Sequence, residues 1–342
     1  MSYAQRHQQY GPPRHPRRRR RPGRAILSIL VVFLLVLVGF LVYVDFSLKR
    51  EDALPAGSAD RPADGPGTNW LLVGSDSRAG LDAERQAELG TGDAAGRRTD
   101  TMMLVHVPAA GGKPTMVSLP RDSLVSIPGQ GEDKLNAAFS YGGSQLLVKT
   151  IEANTGLRID HYAEVGLGGF ADMTDAVGGV DLCVKEPMHD PKANLDLQPG
   201  CQTLAGPQAL GYVRTRATAQ GDLDRVERQR EFLAALSDKA SSPEVFLNPL
   251  RLFPLILNTS STFLVDRDDH VWHLAHLAFA MNGIASGNGI TTTVPFGGFG
   301  ETDDGASVVE WDDDNAQTLF NALANDQPVP PEVITTTETL GG

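Results

Sequence analysis

The chain has 342 residues, with 42 acidic side chains against 30 basic ones and a formal net charge of −12. Eight arginines and no acid lie in the first 24 residues, which leaves a net charge of −20 over residues 25–342. A body this acidic excludes a general nucleic-acid-binding surface for the main part of the chain.

An apolar run follows the basic segment. Residues 25–44 carry no charged side chain, and this length, at about 1.5 Å per residue, matches the roughly 30 Å core of a bilayer. A cleaved signal peptide is the alternative, although its apolar region is usually only about 7–15 residues long. We predict a cytoplasmic basic tail over residues 1–24 and a single transmembrane helix over 25–44, with the N-terminus inside.

Composition divides the remainder of the chain. Residues 45–68 are rich in proline, glycine, alanine and aspartate, which predicts a flexible stalk. Residues 328–342 are rich in proline, threonine and glycine, which predicts a disordered tail. The predicted extracytoplasmic domain therefore spans residues 69–327.

Strand and helix patterns alternate through this domain. Short apolar runs bounded by turn residues predict strands, and apolar residues at helical spacing predict helices. The polar segment 81–96 predicts a loop with one or two helical turns. The alternation predicts an α/β fold, an α-β-α sandwich around a mixed central sheet. Strands are expected over 69–73, 101–107, 114–119, 180–184, 210–216 and 290–294, and helices over 134–153, 170–177, 224–240, 270–281 and 312–323, with a weaker helix over 247–257.

The two cysteines of the chain, Cys183 and Cys201, lie 18 residues apart. An oxidising compartment outside the membrane favours a disulfide between them, and two buried free thiols are the alternative. Two cysteines without a histidine pattern do not make a zinc site. The histidines at 106, 161 and 189 also lack metal-ligand spacing, and we interpret them as structural or surface residues.

Two aspartates adjoin predicted strands. Asp76 follows the first strand, and Asp100 opens the next. Strand ends are where α/β folds bind ligands, and a pair of carboxylates there would suit Mg²⁺, which is often held by few carboxylates together with phosphate oxygens. The alternative is that each aspartate is a turn former or a helix cap.

Arginines are concentrated in the same stretch of sequence. Arginine presents a planar fork of donors that fits phosphate oxygens. Arg214 and Arg216 lie two apart on a predicted strand and would share a face, which suggests a bound anion or a facing acid. Arg225 and Gln229 lie four apart on a predicted helix and would also share a face. The alternative for this helix is a solvated charged surface, with Arg228 paired to Glu231.

Eight short blocks in a fixed order give the chain a specific resemblance. The chain resembles the LytR-CpsA-Psr family of bacterial cell-wall enzymes from about residue 69 to 240, and more weakly to about 324. The blocks are Gly-Ser-Asp-Ser-Arg, Arg-Thr-Asp-Thr-Met, Ser-Leu-Pro-Arg-Asp-Ser, Lys-Leu-Asn-Ala-Ala-Phe-Ser-Tyr-Gly-Gly, Ile-Asp-His-Tyr, Asp-Ala-Val-Gly-Gly-Val, Gln-Ala-Leu-Gly-Tyr-Val-Arg-Thr-Arg and Arg-Val-Glu-Arg-Gln.

The resemblance implies a phosphotransferase that attaches a polyprenyl-diphosphate-linked glycopolymer to peptidoglycan at the outer face of the cytoplasmic membrane. It implies that Asp76 and Asp100 hold Mg²⁺ (or Mn²⁺) on the diphosphate and that Arg98 and Arg121 act with them in catalysis. A diphosphate hydrolase and a non-catalytic lipid-binding regulator of the cell envelope are the alternatives. The residues implied to bind the diphosphate oxygens are Arg98, Arg121, Arg214, Arg216, Arg225 and Gln229, with Arg78 and Arg97 as weaker candidates.

The chain departs from the family pattern between Asp76 and Asp100. The 24 positions that separate them exceed the family's usual gap. The inserted loop is either a lid or substrate-selecting element or a tolerated surface insertion.

Overall fold

The computed structural model describes residues 22–57, 61–76, 81–89, 99–109, 111–191, 193–215, 222–246, 256, 263–302 and 305–335. The chain forms two compact units, Met1–Tyr43 and Val44–Gly342. Most of helix α1 (Pro22–Ser47) belongs to the first unit. Its segment Ile26–Ser47, with a mean hydropathy of 3.1, is long and apolar enough to cross a membrane, in agreement with the predicted span.

A seven-stranded mixed sheet forms the centre of the second unit. Strand β2 pairs with β3 in antiparallel and with β7 in parallel orientation, and β3 pairs with β4 in antiparallel orientation. The strands lie in the order β1 (Lys49–Glu51), β12 (Phe263–Asp266), β7 (His161–Gly166), β2 (Thr68–Ser75), β3 (Thr99–Val107), β4 (Thr115–Leu119) and β13 (Ile290–Thr293).

Both faces of this sheet are apolar. Successive strand residues point to opposite faces, so Leu71 and Val73 enter one core cluster whereas Trp70 enters another. Helices α3 (Leu135–Thr155) and α9 (Asp313–Ala324) cover the first face, and α8 (Val271–Gly283) covers the second. This arrangement confirms the predicted α-β-α sandwich with a mixed central sheet.

Smaller elements surround the sandwich. Four antiparallel pairs, β5 with β6, β8 with β11, β9 with β10 and β14 with β15, lie outside the main sheet. The strands of these pairs are β5 (Leu124–Ile127), β6 (Gly131–Lys134), β8 (Val180–Val184), β9 (Met188–Asp190), β10 (Leu195–Leu197), β11 (Gly200–Leu204), β14 (Phe296–Glu301) and β15 (Ser307–Trp311). The remaining α-helices for which the described residues give bounds are α2 (Ala83–Glu88), α4 (Leu167–Ala176), α5 (Gly206–Arg214), α6 (Asp222–Ser241) and α7 (Pro243–Phe246).

The predicted strand over 210–216 is wrong, because these residues belong mainly to helix α5. Pro207 stands at the start of this helix, where its fixed φ favours the helical conformation. Ala209 and Val213 are four residues apart and buried in the same core cluster, which is the spacing of one helical face. The argument that placed Arg214 and Arg216 on one face of a strand therefore fails. The weaker helix predicted over 247–257 lies outside the described residues, except for residue 256.

The predicted flexible stalk is also wrong for the segment that follows α1. Strand β1 adds to the sheet edge in parallel with β12. Ala53 is buried, and its backbone N–H and that of Leu54 donate to Asp266 Oδ1 at 2.9 and 2.8 Å. The proline- and glycine-rich composition does not predict this order, because only a few specific contacts fix the segment.

The predicted disordered tail is ordered over its first half. Residues 331–333 form a 3₁₀ turn, and Val333 is only 2% exposed. Thr335 forms an antiparallel bridge with Thr293 of β13, and its N–H donates to Thr292 Oγ1 at 2.9 Å. The burial of Val333 and the bridge to β13 order this segment despite its polar composition. Residues 336–342 lie outside the described residues.

Cys183 and Cys201 form a disulfide, as predicted. They are paired residues on the neighbouring antiparallel strands β8 and β11.

Replacing both cysteines by serine is expected to lower the free energy of unfolding by about 3 kcal/mol, because the disulfide closes a loop of 18 residues in the unfolded chain. Urea denaturation of the purified full-length protein measures the change. A reducing agent should destabilise the natural protein but leave the double variant unchanged. Equal stability of the oxidised and reduced natural protein would contradict the prediction.

Candidate active site

The end of β2, the start of β3 and the end of β4 lie side by side, along the edge of the central sheet that is formed by strand termini. Asp76 directly follows β2, and Asp100 is the second residue of β3. Ser75 pairs with Thr99, which brings the two aspartates to the same edge. Arg121 lies two residues beyond the end of β4, which is antiparallel to β3 and therefore ends at this edge too. The topology thus unites residues that are up to 45 positions apart in the chain.

Asp76, Asp100 and Arg121 line one cavity of about 550 Å³. All three residues are predicted from the sequence as site residues, and the structure brings them together. The other residues of the lining are Asp122, Lys134, Asn136, Ala137, Ser140 and Tyr141.

A network of ion pairs orients Arg121 in this cavity. Its Nη1 donates to Asp100 Oδ1 at 2.6 Å, and its Nε donates to Asp122 Oδ2 at 3.0 Å. Lys134 Nζ donates to the second oxygen of Asp122, also at 3.0 Å. Two carboxylates therefore hold the guanidinium from two sides, which limits the conformational freedom that it would lose on binding a ligand.

Asp122 remains ionised within this network. Burial acts to raise the pKa of its carboxyl, but the hydrogen bond from Lys134 and the charge of Arg121 outweigh burial and hold the pKa below its ordinary value. A lowered pKa keeps the contact to Arg121 charged from neutral to mildly acidic pH, and the contact is lost only as the pH falls through that value.

The start of α3 forms the wall opposite the strand ends. Backbone hydrogen bonds from Leu135 N to Ser123 O at 2.8 Å and from Asn136 N to Arg121 O at 3.0 Å fix this helix to the arginine segment. The helix is interrupted at Gly142 and Gly143. Gly143 has a φ of 65°, a conformation that glycine adopts without steric cost. The interruption follows directly after the lining residues of α3.

The described lining is more acidic than basic. It contains three carboxylates and two cationic side chains, so the described side chains alone would repel an anionic ligand. A bound divalent cation would reverse that balance. Carboxylate oxygens are the ligands that hard cations such as Mg²⁺ prefer, so the donors fit such an ion.

Arg214 ends α5, and Gln229 lies on α6 where that helix contacts α5. Gln229 is buried, and its Nε2 donates to Val213 O at 3.3 Å. Arg214 Nη1 donates to Leu89 O at 3.4 Å. Neither residue is among the described residues that line the cavity. Arg225 belongs to α6, but its side chain lies outside the described part, as do Arg78, Arg97, Arg98 and Arg216 entirely.

The first part of the inserted segment packs against the domain. Leu89 is buried in a cluster with Leu167 and Leu210, which belong to α4 and α5. Arg85 pairs with Asp172 of α4 at 2.8 Å. Residues 81–89 are therefore anchored on the same helices that carry Arg214, whereas residues 90–98 lie outside the described part.

Two further arginines of α6 have structural contacts. Arg228 is buried and donates to the backbone oxygens of Tyr212 and Thr215 at 3.2 and 2.6 Å. Glu231, its predicted partner, accepts a hydrogen bond from the Tyr212 hydroxyl at 3.0 Å. Arg230 Nε donates to Ser118 Oγ at 3.0 Å, which ties α6 to the central sheet.

The residue-by-residue prediction missed five polar members of the lining: Asp122, Lys134, Asn136, Ser140 and Tyr141. All five belong to two of the sequence blocks that carry the resemblance, Ser-Leu-Pro-Arg-Asp-Ser and Lys-Leu-Asn-Ala-Ala-Phe-Ser-Tyr-Gly-Gly. The blocks therefore contained the signal, whereas arginines and strand-end aspartates alone do not indicate these five residues.

Comparisons with known proteins agree with the resemblance. The probable cell wall biosynthesis protein LcpB of Corynebacterium glutamicum is 54% identical over 299 residues, which cover 87% of this chain and 70% of that protein. The polyisoprenyl-teichoic acid–peptidoglycan teichoic acid transferase TagU of Oceanobacillus iheyensis is 32% identical over 311 residues, covering 85% and 89%. The solved structure of TagT bound to LI-WTA matches with a TM-score of 0.58 at 27% identity, covering 80% of this chain and 98% of that one.

A family model gives the same assignment over most of the length. The model described as the LytR_cpsA_psr family matches residues 47–325, which include every described residue of the cavity lining. This protein therefore belongs to the LytR_cpsA_psr family.

Proposed function

We propose that the protein transfers a phospho-glycopolymer from a polyprenyl-diphosphate carrier to a sugar hydroxyl of peptidoglycan, on the outer face of the cytoplasmic membrane. The meeting of Asp76, Asp100 and Arg121 in one cavity carries this proposal. The names of the relatives support it, since TagU is a teichoic acid transferase to peptidoglycan and TagT has been solved with LI-WTA bound. The apolar helix would anchor the chain with its basic N-terminus inside.

We further propose that Asp76 and Asp100 hold Mg²⁺ or Mn²⁺. The ion would neutralise charge on the diphosphate and polarise its phosphoryl oxygens. The acidic excess of the described lining supports this, because a diphosphate needs more positive charge than Arg121 and Lys134 supply.

In the proposed reaction the acceptor hydroxyl oxygen forms a bond to the phosphorus atom that carries the glycopolymer. The bond from this phosphorus to the bridging oxygen breaks, and lipid phosphate leaves with that oxygen and its electron pair. The hydroxyl proton passes to solvent or to a general base, a role to which no residue is assigned. Arg121 would donate hydrogen bonds to the phosphate oxygens as charge redistributes, which is the main demand of phosphoryl transfer.

The proposal also includes the other residues that the family resemblance implies bind the diphosphate oxygens together with Arg121: Arg98, Arg214, Arg216, Arg225 and Gln229. Arg214 contacts the anchored inserted segment through Leu89 O. A change in that segment would therefore alter the position of Arg214, which connects the insertion to substrate binding.

The experiment that tests the transfer uses the full-length protein in detergent with a polyprenyl-diphosphate-linked saccharide, with and without peptidoglycan. We expect a phosphodiester-linked product only when peptidoglycan is present, and its loss on removal of divalent cations. Release of free phosphosaccharide regardless of the acceptor would show the hydrolase instead. Binding of the lipid-linked saccharide without turnover would favour the regulator.

Asp76→Asn is expected to raise the Mg²⁺ concentration that gives half-maximal transfer at least about tenfold, because the amide removes one negative charge from the proposed metal site. Transfer rates measured over a range of Mg²⁺ concentrations test this. Glu332→Gln, at an exposed acid far along the chain, is the matched control. An unchanged Mg²⁺ dependence in Asp76→Asn would remove Asp76 from the metal site.

A further inference from the structure

A second group of metal-type side chains lies outside the cavity. His161 is the first residue of β7, Asp269 follows β12, and His273 lies in the first turn of α8. His161 Nδ1 is within hydrogen-bond distance of Asp269 Oδ1, and His273 Nδ1 lies 3.3 Å from the same oxygen. One potential ligand atom from each residue lies within 4.8 Å of the other two.

This group lies at the opposite end of the strands from the proposed diphosphate site. His161 pairs with Trp70, near the start of the parallel strand β2, whereas Asp76 follows the end of that strand. Six strand residues at about 3.3 Å each separate the two levels by on the order of 20 Å. The group therefore belongs to neither the proposed phosphate ligands nor the proposed Mg²⁺ ligands.

Contacts with neighbouring residues orient Asp269 and His161. Asp269 is only 2% exposed, and its second oxygen accepts the N–H of Tyr162 at 3.2 Å. The ring of His161 stacks on Trp70, with centroids 4.4 Å apart. The two histidine side chains are partly exposed, which leaves a path for an ion from solvent. Such supporting contacts are what fix ligands in protein metal sites.

We propose that His161, Asp269 and His273 bind a divalent transition-metal ion of the zinc type. Two imidazoles and one carboxylate are a ligand set that suits Zn²⁺ and leaves a fourth position for water. The mixed nitrogen and oxygen donors distinguish this site from the all-oxygen donors of Asp76 and Asp100. The alternative is a metal-free cluster in which His161 is hydrogen-bonded to the Asp269 carboxylate and His273 Nδ1 accepts the backbone N–H of His270 at 3.3 Å.

The ion would join three elements that are remote in sequence. It would link the start of β7 and the turn after β12 to helix α8. Helix α8 also contacts residue 45, because Val271 N donates to Asp45 Oδ1 at 2.9 Å. Metal binding at this point would therefore stabilise the contact of α8 with the start of the second unit, around residue 45.

The test titrates metal-stripped, full-length protein in detergent, purified without a polyhistidine tag, with Co²⁺ as a visible probe. We expect one equivalent to produce the strong visible absorption of a four-coordinate site with nitrogen ligands. Zn²⁺ should displace the Co²⁺ and raise the melting temperature. Absence of this absorption in the natural protein, where misfolding plays no part, would overturn the proposal in favour of the metal-free cluster.

Substitutions identify the ligands. His273→Gln is expected to lose the Co²⁺ absorption, whereas His276→Gln, an exposed histidine three residues later on the same helix, should keep it. Asp76→Asn should also keep it, since that residue belongs to the other site. Persistence of the absorption in a folded His273→Gln protein would overturn the assignment. Circular dichroism of each variant establishes that it is folded.

Discussion

Arg121→Ala is expected to lower the rate of transfer by about 10²–10³-fold, the usual effect of removing one donor that stabilises developing charge. Arg121 lies at the meeting point of three strand ends and is held by Asp100 and Asp122. Its loss would also leave those two carboxylates without their shared cation, which makes the cavity more repulsive to a diphosphate. Initial rates with lipid-linked saccharide and peptidoglycan measure the effect.

Two further variants make this result specific. Arg121→Lys keeps the positive charge but not the planar fork, so we expect a rate between those of the natural protein and Arg121→Ala. Arg267→Ala removes an arginine whose side chain is 71% exposed and pairs with Asp52, and it should leave the rate unchanged. Full activity in Arg121→Ala would exclude Arg121 from the reaction, whatever the outcome for the other two variants.

Glu152→Ala is expected to lower the free energy of unfolding by about 3–5 kcal/mol, because it leaves a buried charge without its partner. Glu152 is 3% exposed, and its Oε1 lies 2.6 Å from Arg61 Nη2. The same oxygen accepts the N–H of Ile159 at 2.9 Å. Urea denaturation of the full-length protein, followed by tryptophan fluorescence, measures the loss.

A neighbouring ion pair serves as the matched control. Arg158 pairs with Asp64, whose side chain is 82% exposed, so Arg158→Ala should cost less than about 1 kcal/mol. Replacing Arg61 by Met together with Glu152 by Leu should recover much of the lost stability, since an apolar pair leaves no unpaired charge. A cost of Glu152→Ala no larger than that of Arg158→Ala would contradict the prediction.

The sequence predicted the centre of the fold well because local patterns carry that information. The strands β2, β3 and β4 each contain a short apolar run, and the ends of the strands bring Asp76, Asp100 and Arg121 together once the strands pair. For these elements, local residue preference and tertiary packing favour the same structure.

Other features depend on contacts between residues that are remote in sequence. His161 and Asp269 are 108 positions apart, so no local spacing reveals their contact. Arg61 lies in a segment whose composition indicates a linker, yet its guanidinium is buried against Glu152 of α3. In α5, the residues around Leu210 fit a strand pattern as well as a helix, and packing against its neighbours decides between them.

The two segments whose composition predicts a linker and a tail contribute to the outermost strands of the central sheet, one on each side. Strand β1, Lys-Arg-Glu, forms one edge and is short and charged, and Thr335 covers part of β13 at the other edge. Exposed strand edges allow sheets of different molecules to associate, and short charged strands or covering segments prevent this. A chain cut back to residues 69–327 would keep the proposed diphosphate site but expose both edges, and so would favour aggregation.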